Sequence, residues 1–213
     1  IESVTEEPQE IRDQIAKDLI DLTLHELFSF GVMQTDPNFA NYLYQPDYQR
    51  IALLDFGATH KISLPVVQFY HQLMLAGFAG DDATLEETME GIGFIDENTK
   101  DSQRKQLVHM VKFVFETLQE DRYLDFADTK LATHLQDLAI SLAKDGFIPP
   151  PVPIDVLLLQ RKIGGMFLLA AKLAARVNVV SLVADRLKDT VPSYKTNRSF
   201  QINDNSRQIT DEA

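Results

Sequence analysis

MQTDPNFANYLYQPDYQRIALLDFGA, residues 33–58, interrupts an otherwise helical chain with a short hairpin flanked by two aspartates, Asp36 and Asp55. Neither carboxylate sits where solubility needs one. Asp36 and Asn41 are five positions apart, Asp55 follows fourteen positions later, and that spacing has a chemical use. Phosphoryl transfer spreads charge over non-bridging oxygens, so its catalyst needs divalent ions on hard oxygen ligands and a group that sets the attacking hydroxyl in line. Asp36 suits the loop carboxylate that orients or deprotonates that hydroxyl. Asn41 suits the amide oxygen that ligates a cation, and Asp55 the carboxylate that returns on a hairpin to grip it across the phosphates. Gly57, lacking a side chain, lets the backbone turn sharply off the strand while Asp55 stays aimed inward.

Outward from this stretch the period changes. Asn41–Tyr44 and Arg50–Phe56 read as two strands joined by a turn around Pro46 and Asp47, the one convincing strand pair. Upstream, Ile11, Ile15, Leu19, Leu22 and Leu27 recur at helical spacing between Pro8 and Gly31, which predicts a helix over 9–30. Downstream the pattern predicts helices over 63–79, 82–90 with Asp82 as cap, 101–119, 128–144, 154–176 and 180–188. Leu107, Val111, Val114, Phe115 and Leu118 form one apolar face, and Leu131, Leu135, Leu138 and Leu142 another; both read as core. Pro149–Pro153 is a stiff connector, and 190–213 reads as a polar tail.

Composition narrows the function classes. The chain has 213 residues, 45% of them hydrophobic, enough for one domain with a proper core. Its net charge of −12 repels a polyanion, so nucleic acid is not an expected partner. It has no cysteine, which removes disulfides, thiolate catalysis and Cys-based zinc sites. No signal peptide is recognisable at the start. The most apolar stretch, Val156–Ala175, is interrupted by Gln160, Arg161, Lys162 and Lys172 and reads as a buried helix, not a membrane span.

An aspartate in a turn usually bonds its own backbone, and a lone DFG has little specificity. The ordered set carries more: a long helix, the Asp–Asn loop, a strand, a tight turn, a second strand and DFG follow the protein-kinase catalytic-loop arrangement. Within it, GVMQTDPNFANYLY and IALLDFGATH resemble segments of the UbiB family of atypical kinase-like proteins, which supports ubiquinone biosynthesis. PPPVPIDVLLLQRKIGGMFLLAAKLAARVNV resembles that family's C-terminal helices, so the resemblance runs from about Thr5 to Leu187.

The resemblance implies a mainly α fold with a small β-hairpin, a protein-kinase-like C-lobe over 1–189. It implies ATP and Mg2+ as cofactors of the intact parent, and an ATPase or small-molecule kinase activity tied to isoprenoid quinone metabolism. The implied partners are ATP and a quinone-pathway lipid or biosynthetic enzymes. The implied location is cytoplasmic or peripheral at the inner membrane face, with membrane contact made by segments outside this chain. By position, Asp36 matches the catalytic-loop aspartate, Asn41 the metal-ligating asparagine and Asp55 the DFG aspartate. Gln34 stands where ordinary kinases place the histidine of HRD. Asn38 stands where serine/threonine kinases carry the lysine that stabilises the transferred phosphate, which puts ordinary phosphorylation of protein hydroxyls in doubt. With Gly57, these two are the implied support residues of the nucleotide site.

Only 35 residues precede Asp36, and they hold no Gly- or Ala-rich nucleotide loop, no VAIK-like lysine and no KxGQ signature. The expectation is therefore that the N-lobe is absent and that the chain by itself is inactive. Two other readings stay open. One is a non-catalytic nucleotide-binding or scaffold module of pseudokinase type. The other is a phosphotransferase like those acting on choline or aminoglycosides, against which LLDFGA argues. The five histidines make no metal-ligand pair, Gly91–Gly93 reads as a helix end, and Glu86, Glu87 and Glu90 read as a solvated face. Gly164 and Gly165 inside a predicted helix cost about 2 kcal/mol relative to alanines, for which close helix packing is the usual compensation.

Overall fold

The computed structural model describes residues 2–120 and 123–189; the tail expected at 190–213 lies outside the described residues. Helices run over α1 Gln9–His25, α2 Leu64–Ala79, α3 Asp82–Ile92, α4 Asp101–Glu120, α5 Lys130–Lys144, α6 Ile154–Lys172 and α7 Val179–Asp189. The strands are β1 Val32–Gln34, β2 Tyr42–Gln45, β3 Arg50–Leu53, β4 Thr59–Lys61, β5 Leu124–Asp125 and β6 Arg176–Val177. The molecule is mainly α with small hairpins, as the sequence predicts.

The predicted strand pair is present, with Tyr42 opposite Leu53 in an antiparallel β2–β3 ladder, but it is not alone. β1 pairs with β4, Gln34 opposite Thr59, and β5 pairs with β6. Two or three residues are too few to display a period of two, and only the tertiary fold brings these partners together. The ladder is also shorter than predicted. Asn41 closes a 3-10 turn over Phe39–Asn41, and β3 stops at Leu53, so Asn41 and Asp55 sit just off the strands and not within them.

The first helix does not run uniformly to Phe30. Glu26–Phe30 is a π-helical turn, ended by Gly31 at φ 61°. Such turns shift the register of the following side chains and recur at functional sites. Here Glu26, Leu27 and Phe28 are all buried. Other boundaries move for identifiable reasons. The cap of α3 is Asp81, whose Oδ1 accepts from Thr84 N at 3.1 Å, and Asp82 is the first helical residue. α6 stops at Lys172 because Ala174 turns to φ 47° and Arg176–Val177 enters a ladder. Gly93, at φ 89°, does end a helix.

One apolar core runs through α1, α2, α3 and α6, with Ile15, Leu19, Leu85, Leu159, Leu169 and Leu173 almost fully enclosed. α1 packs against α6 and α7, and Arg186 of α7 grips Asp21 of α1 through both carboxylate oxygens, at 2.9 and 2.6 Å. Of the predicted α4 stripe only Phe115 is fully buried, and of the α5 stripe Leu131 and Leu142. Glu86, Glu87 and Glu90 do lie on a solvent-facing side of α3, where Glu86 and Glu90 also pair with Arg104. No helix among the described residues is long and apolar enough to cross a membrane.

Candidate functional site

The loop joining β1 to β2 carries Asp36, Asn38 and Asn41. Asn41 Nδ2 donates to Asp36 Oδ2 at 3.1 Å, so the five-residue spacing does bring these two side chains together. Asp36 Oδ1 lies 3.2 Å from Arg161 Nη2 of α6. Asn38 is exposed, and its Oδ1 accepts from Ala40 N at 3.0 Å, a turn that starts the 3-10 segment.

Gln34 is the hub of the site. Its Oε1 accepts from Asp36 N at 2.7 Å, and its Nε2 donates to the Asp55 carbonyl at 2.8 Å. One buried amide therefore joins the Asp36 loop to the segment that bears Asp55, and Thr35 adds two bonds to the Ala58 carbonyl. Leu54 N donates to the Asn41 carbonyl at 2.9 Å, a third tie between the two segments. The Asp55 carboxylate itself bonds Gly57 N at 2.7 Å. A Cβ on Gly57 would lie 3.1 Å from that same Oδ1, so glycine serves close approach of the carboxylate there, not a left-handed backbone.

Beneath the loop lies a buried polar group that sequence reasoning did not assign. Lys162 of α6 is 1% exposed; its Nζ donates to Tyr42 Oη at 2.8 Å and lies 3.6 Å from Glu26 Oε2. That last separation is an ion pair, and Oε2 has no hydrogen bond. Glu26 Oε1 accepts from Gln34 N at 3.3 Å. Burial pushes Glu26 above the usual carboxylate range and Lys162 below the usual amine range, each opposed by the other's charge. Tyr42 is pushed up to about 12 by burial and by the charges of Glu26 and Asp36, so it stays a neutral phenol.

His60 on β4 turns away from the loop toward α6. Its Nε2 lies 2.8 Å from Asp155 Oδ1, while Asp155 Oδ2 accepts from Ser63 N at 2.8 Å. Burial works to raise Asp155, but the bonds from Ser63 and His60 outweigh it and hold the carboxyl below its ordinary range.

Residues 2–89, which hold α1, the Asp36 loop and Asp55, match the ABC1 atypical kinase-like domain. This segment belongs to the ABC1 atypical kinase-like family. The assignment bears out the resemblance to UbiB-type proteins. The chain is 32% identical over 182 residues to the Caenorhabditis elegans protein "Atypical kinase coq-8, mitochondrial", covering 84% of this chain and 24% of that protein. It is 31% identical over 190 residues to the rat "Atypical kinase COQ8B, mitochondrial", covering 89% of this chain and 35% of that protein. It thus spans 24% and 35% of the lengths of these two curated relatives. A solved structure titled "The complex structure of Rv3197-erythromycin from Mycobacterium tuberculosis" superposes with a TM-score of 0.64 at 20% identity, over 84% of this chain and 44% of that one. It supports the fold.

The structure brings the oxygen-bearing side chains of Asp36 and Asn41 together, whereas the Asp55 carboxylate, expected to aim inward beside them, is exposed and accepts from Gly57 N in its own turn. Among the described residues no three His, Cys, Asp or Glu side chains converge as metal ligands; a cation held by Asp36 would take Asn41 as its neighbouring ligand. With Nδ2 spent on Asp36, the amide oxygen is the atom left for that task. The residues that sequence reasoning missed do carry a signal. Val156, Leu159, Met166 and Leu169 set the buried phase of α6, and position 162 falls on it; Ile15, Leu19 and Thr23 set that of α1, and position 26 falls on it. Two opposite charges, each alone on an apolar helix face, read as a buried pair.

Proposed function

We propose that this chain is the C-terminal lobe of an atypical kinase-like ATPase or phosphotransferase that supports ubiquinone biosynthesis. In the intact parent Mg-ATP would be held by Asp36, Asn41 and Asp55, with Gln34, Asn38 and Gly57 in support. The observation that carries this reading is Gln34, one buried side chain fastening the Asp36 loop to the Asp55 segment within an ABC1 kinase-like segment.

Bound Mg2+ would neutralise charge on the phosphates and align them for in-line displacement. The chain's own residues do the positioning. Gln34 fixes the backbone at Asp36 and Asp55; Asn41 orients the Asp36 carboxylate through Oδ2; Gly57 lets the Asp55 carboxylate fold against its own turn. Asn38 brings no positive charge to the transferred phosphate, and Arg161, 3.2 Å from Asp36, is the nearby cation able to stand in for it. The relatives' names favour a mitochondrial setting, and the lack of a long apolar helix among the described residues is compatible with peripheral attachment.

The test is Asp36→Asn and Asp55→Asn in the full-length protein. Loss of ATP turnover and of quinone synthesis in a complementation assay, with folding retained, is the expected outcome; survival of both functions in both variants overturns the reading. A non-catalytic nucleotide-binding or scaffold role is favoured by a different observation. Arg161 and Asn41 engage both oxygens of Asp36, and these contacts compete with a substrate hydroxyl for that carboxylate. In that case Asp36→Asn leaves complementation intact.

A further inference from the structure

The loop that carries Asp36 and Asn41 begins after Gln34 and ends at Tyr42, and both roots lead to the same buried ammonium. At the first root Glu26 accepts from Gln34 N through Oε1 and faces Lys162 through Oε2. At the second root Lys162 Nζ donates to the phenol of Tyr42, which lies next to Asn41. All three side chains are buried, Lys162 to 1%, Tyr42 to 2% and Glu26 to 6% exposure. The same helix touches the loop twice more. Arg161 meets the Asp36 carboxylate, and one turn on Gly165 lies so close to Pro37 that a Cβ would fall 2.1 Å from the Pro37 Cβ.

We propose that Lys162 is a positioning residue, which with Glu26 and Tyr42 clamps the two roots of the Asp36–Asn41 loop and makes α6 the template for its geometry. The catalytic half of this inference rests on the proposed function; the clamp does not. Stability alone does not explain the arrangement, because well-packed apolar side chains of similar volume commonly replace a buried ion pair without loss. Registry does. An apolar side chain tolerates a small slide of its neighbours, whereas an ammonium shared between a phenol and a carboxylate holds both at fixed places. The π turn at Glu26–Phe30 begins at the glutamate that forms one arm.

The experiment uses the full-length protein and two variants, the double substitution Glu26→Gln with Lys162→Met, which leaves no lone buried charge, and the single Tyr42→Phe, which leaves the ion pair. Amide hydrogen exchange over residues 35–42 reads the clamp directly, and steady-state ATP turnover reads its consequence. In the double variant, with α1 and α6 still protected, the loop should exchange at least about tenfold faster. Turnover should fall by up to about a hundredfold with KM for ATP little changed, since misplacement of a catalytic group acts on kcat. Tyr42→Phe should move both readouts in the same direction by less, and it decides the matter if the double variant does not fold. Loop exchange indistinguishable from wild type overturns the clamp; faster exchange with unchanged kcat overturns its catalytic role. If the wild-type protein shows no ATP-dependent turnover at all, the proposed function falls by itself, and hydrogen exchange alone then decides the clamp.

Discussion

At Gly165 a missing methyl group lets α6 rest on Pro37, the residue after Asp36. A Cβ there would fall 2.1 Å from the Pro37 Cβ, while at Gly164 it would meet nothing within 4 Å. The neighbours therefore differ in sign. Gly165→Ala should destabilise the protein by about 1–3 kcal/mol through overpacking against a ring that cannot rotate away. Gly164→Ala should stabilise it by up to about 1 kcal/mol through helix propensity. Urea midpoints of the two variants check this; equal gains for both would show that α6 does not press on the loop. The sequence showed a glycine pair with a cost and named close packing as the compensation. It gave no means of telling which glycine faced a neighbour, because the pair is adjacent in sequence while the contact partner is more than a hundred residues away.

Among the elements, α6 is held at its start by one carboxylate. Asp155, in its first turn, accepts from Ser63 N at the head of α2 and faces His60 on β4. Its folded pKa lies below the ordinary value of 3.8, so the ionised form favours the folded state. That contribution is fully present above the unfolded pKa and is lost as pH falls through the lower folded value. Asp155→Asn should thus cost about 1–3 kcal/mol at pH 7, the scale of hydrogen bonds to a charged acceptor. The stabilities of wild type and variant should converge as the solution is taken below pH 3.8, and a gap that persists in acid rejects the assignment. The helices were legible at this scale because apolar residues at a period of 3.6 record which face is buried. The π turn, β1 and β4 were not, since a five-residue turn and two three-residue strands leave too short a pattern.

For the whole molecule, the loop is backed by α6 below, but the surface beside it stays open. Leu54 and Phe56, on either side of Asp55, are 58% and 60% exposed among the described residues. Among the described residues, a nucleotide placed against Asp55 would lie on this open apolar surface. The expected outcome for the 213-residue chain by itself is ATP binding weaker than about 1 mM and no turnover above background. Titration calorimetry and a phosphate-release assay measure these two quantities; tight binding or sustained turnover would mean that these 213 residues suffice.

The sequence by itself determined the helical class, the order and spacing of Asp36, Asn41 and Asp55, and the family of the segment that holds them. Those features are local, written in spacing along the chain, and local spacing is what backbone periodicity and loop chemistry translate directly. Only the tertiary structure decided that Gln34 joins the two aspartate segments, that Arg161 meets Asp36, and that Lys162 closes on Glu26 and Tyr42. The Gln34 link depends on β1 meeting β4, and the Arg161 and Lys162 pairings on how α6 packs against α1 and the loop. A crossing is set by the packing of whole apolar faces, which no single stretch of sequence contains.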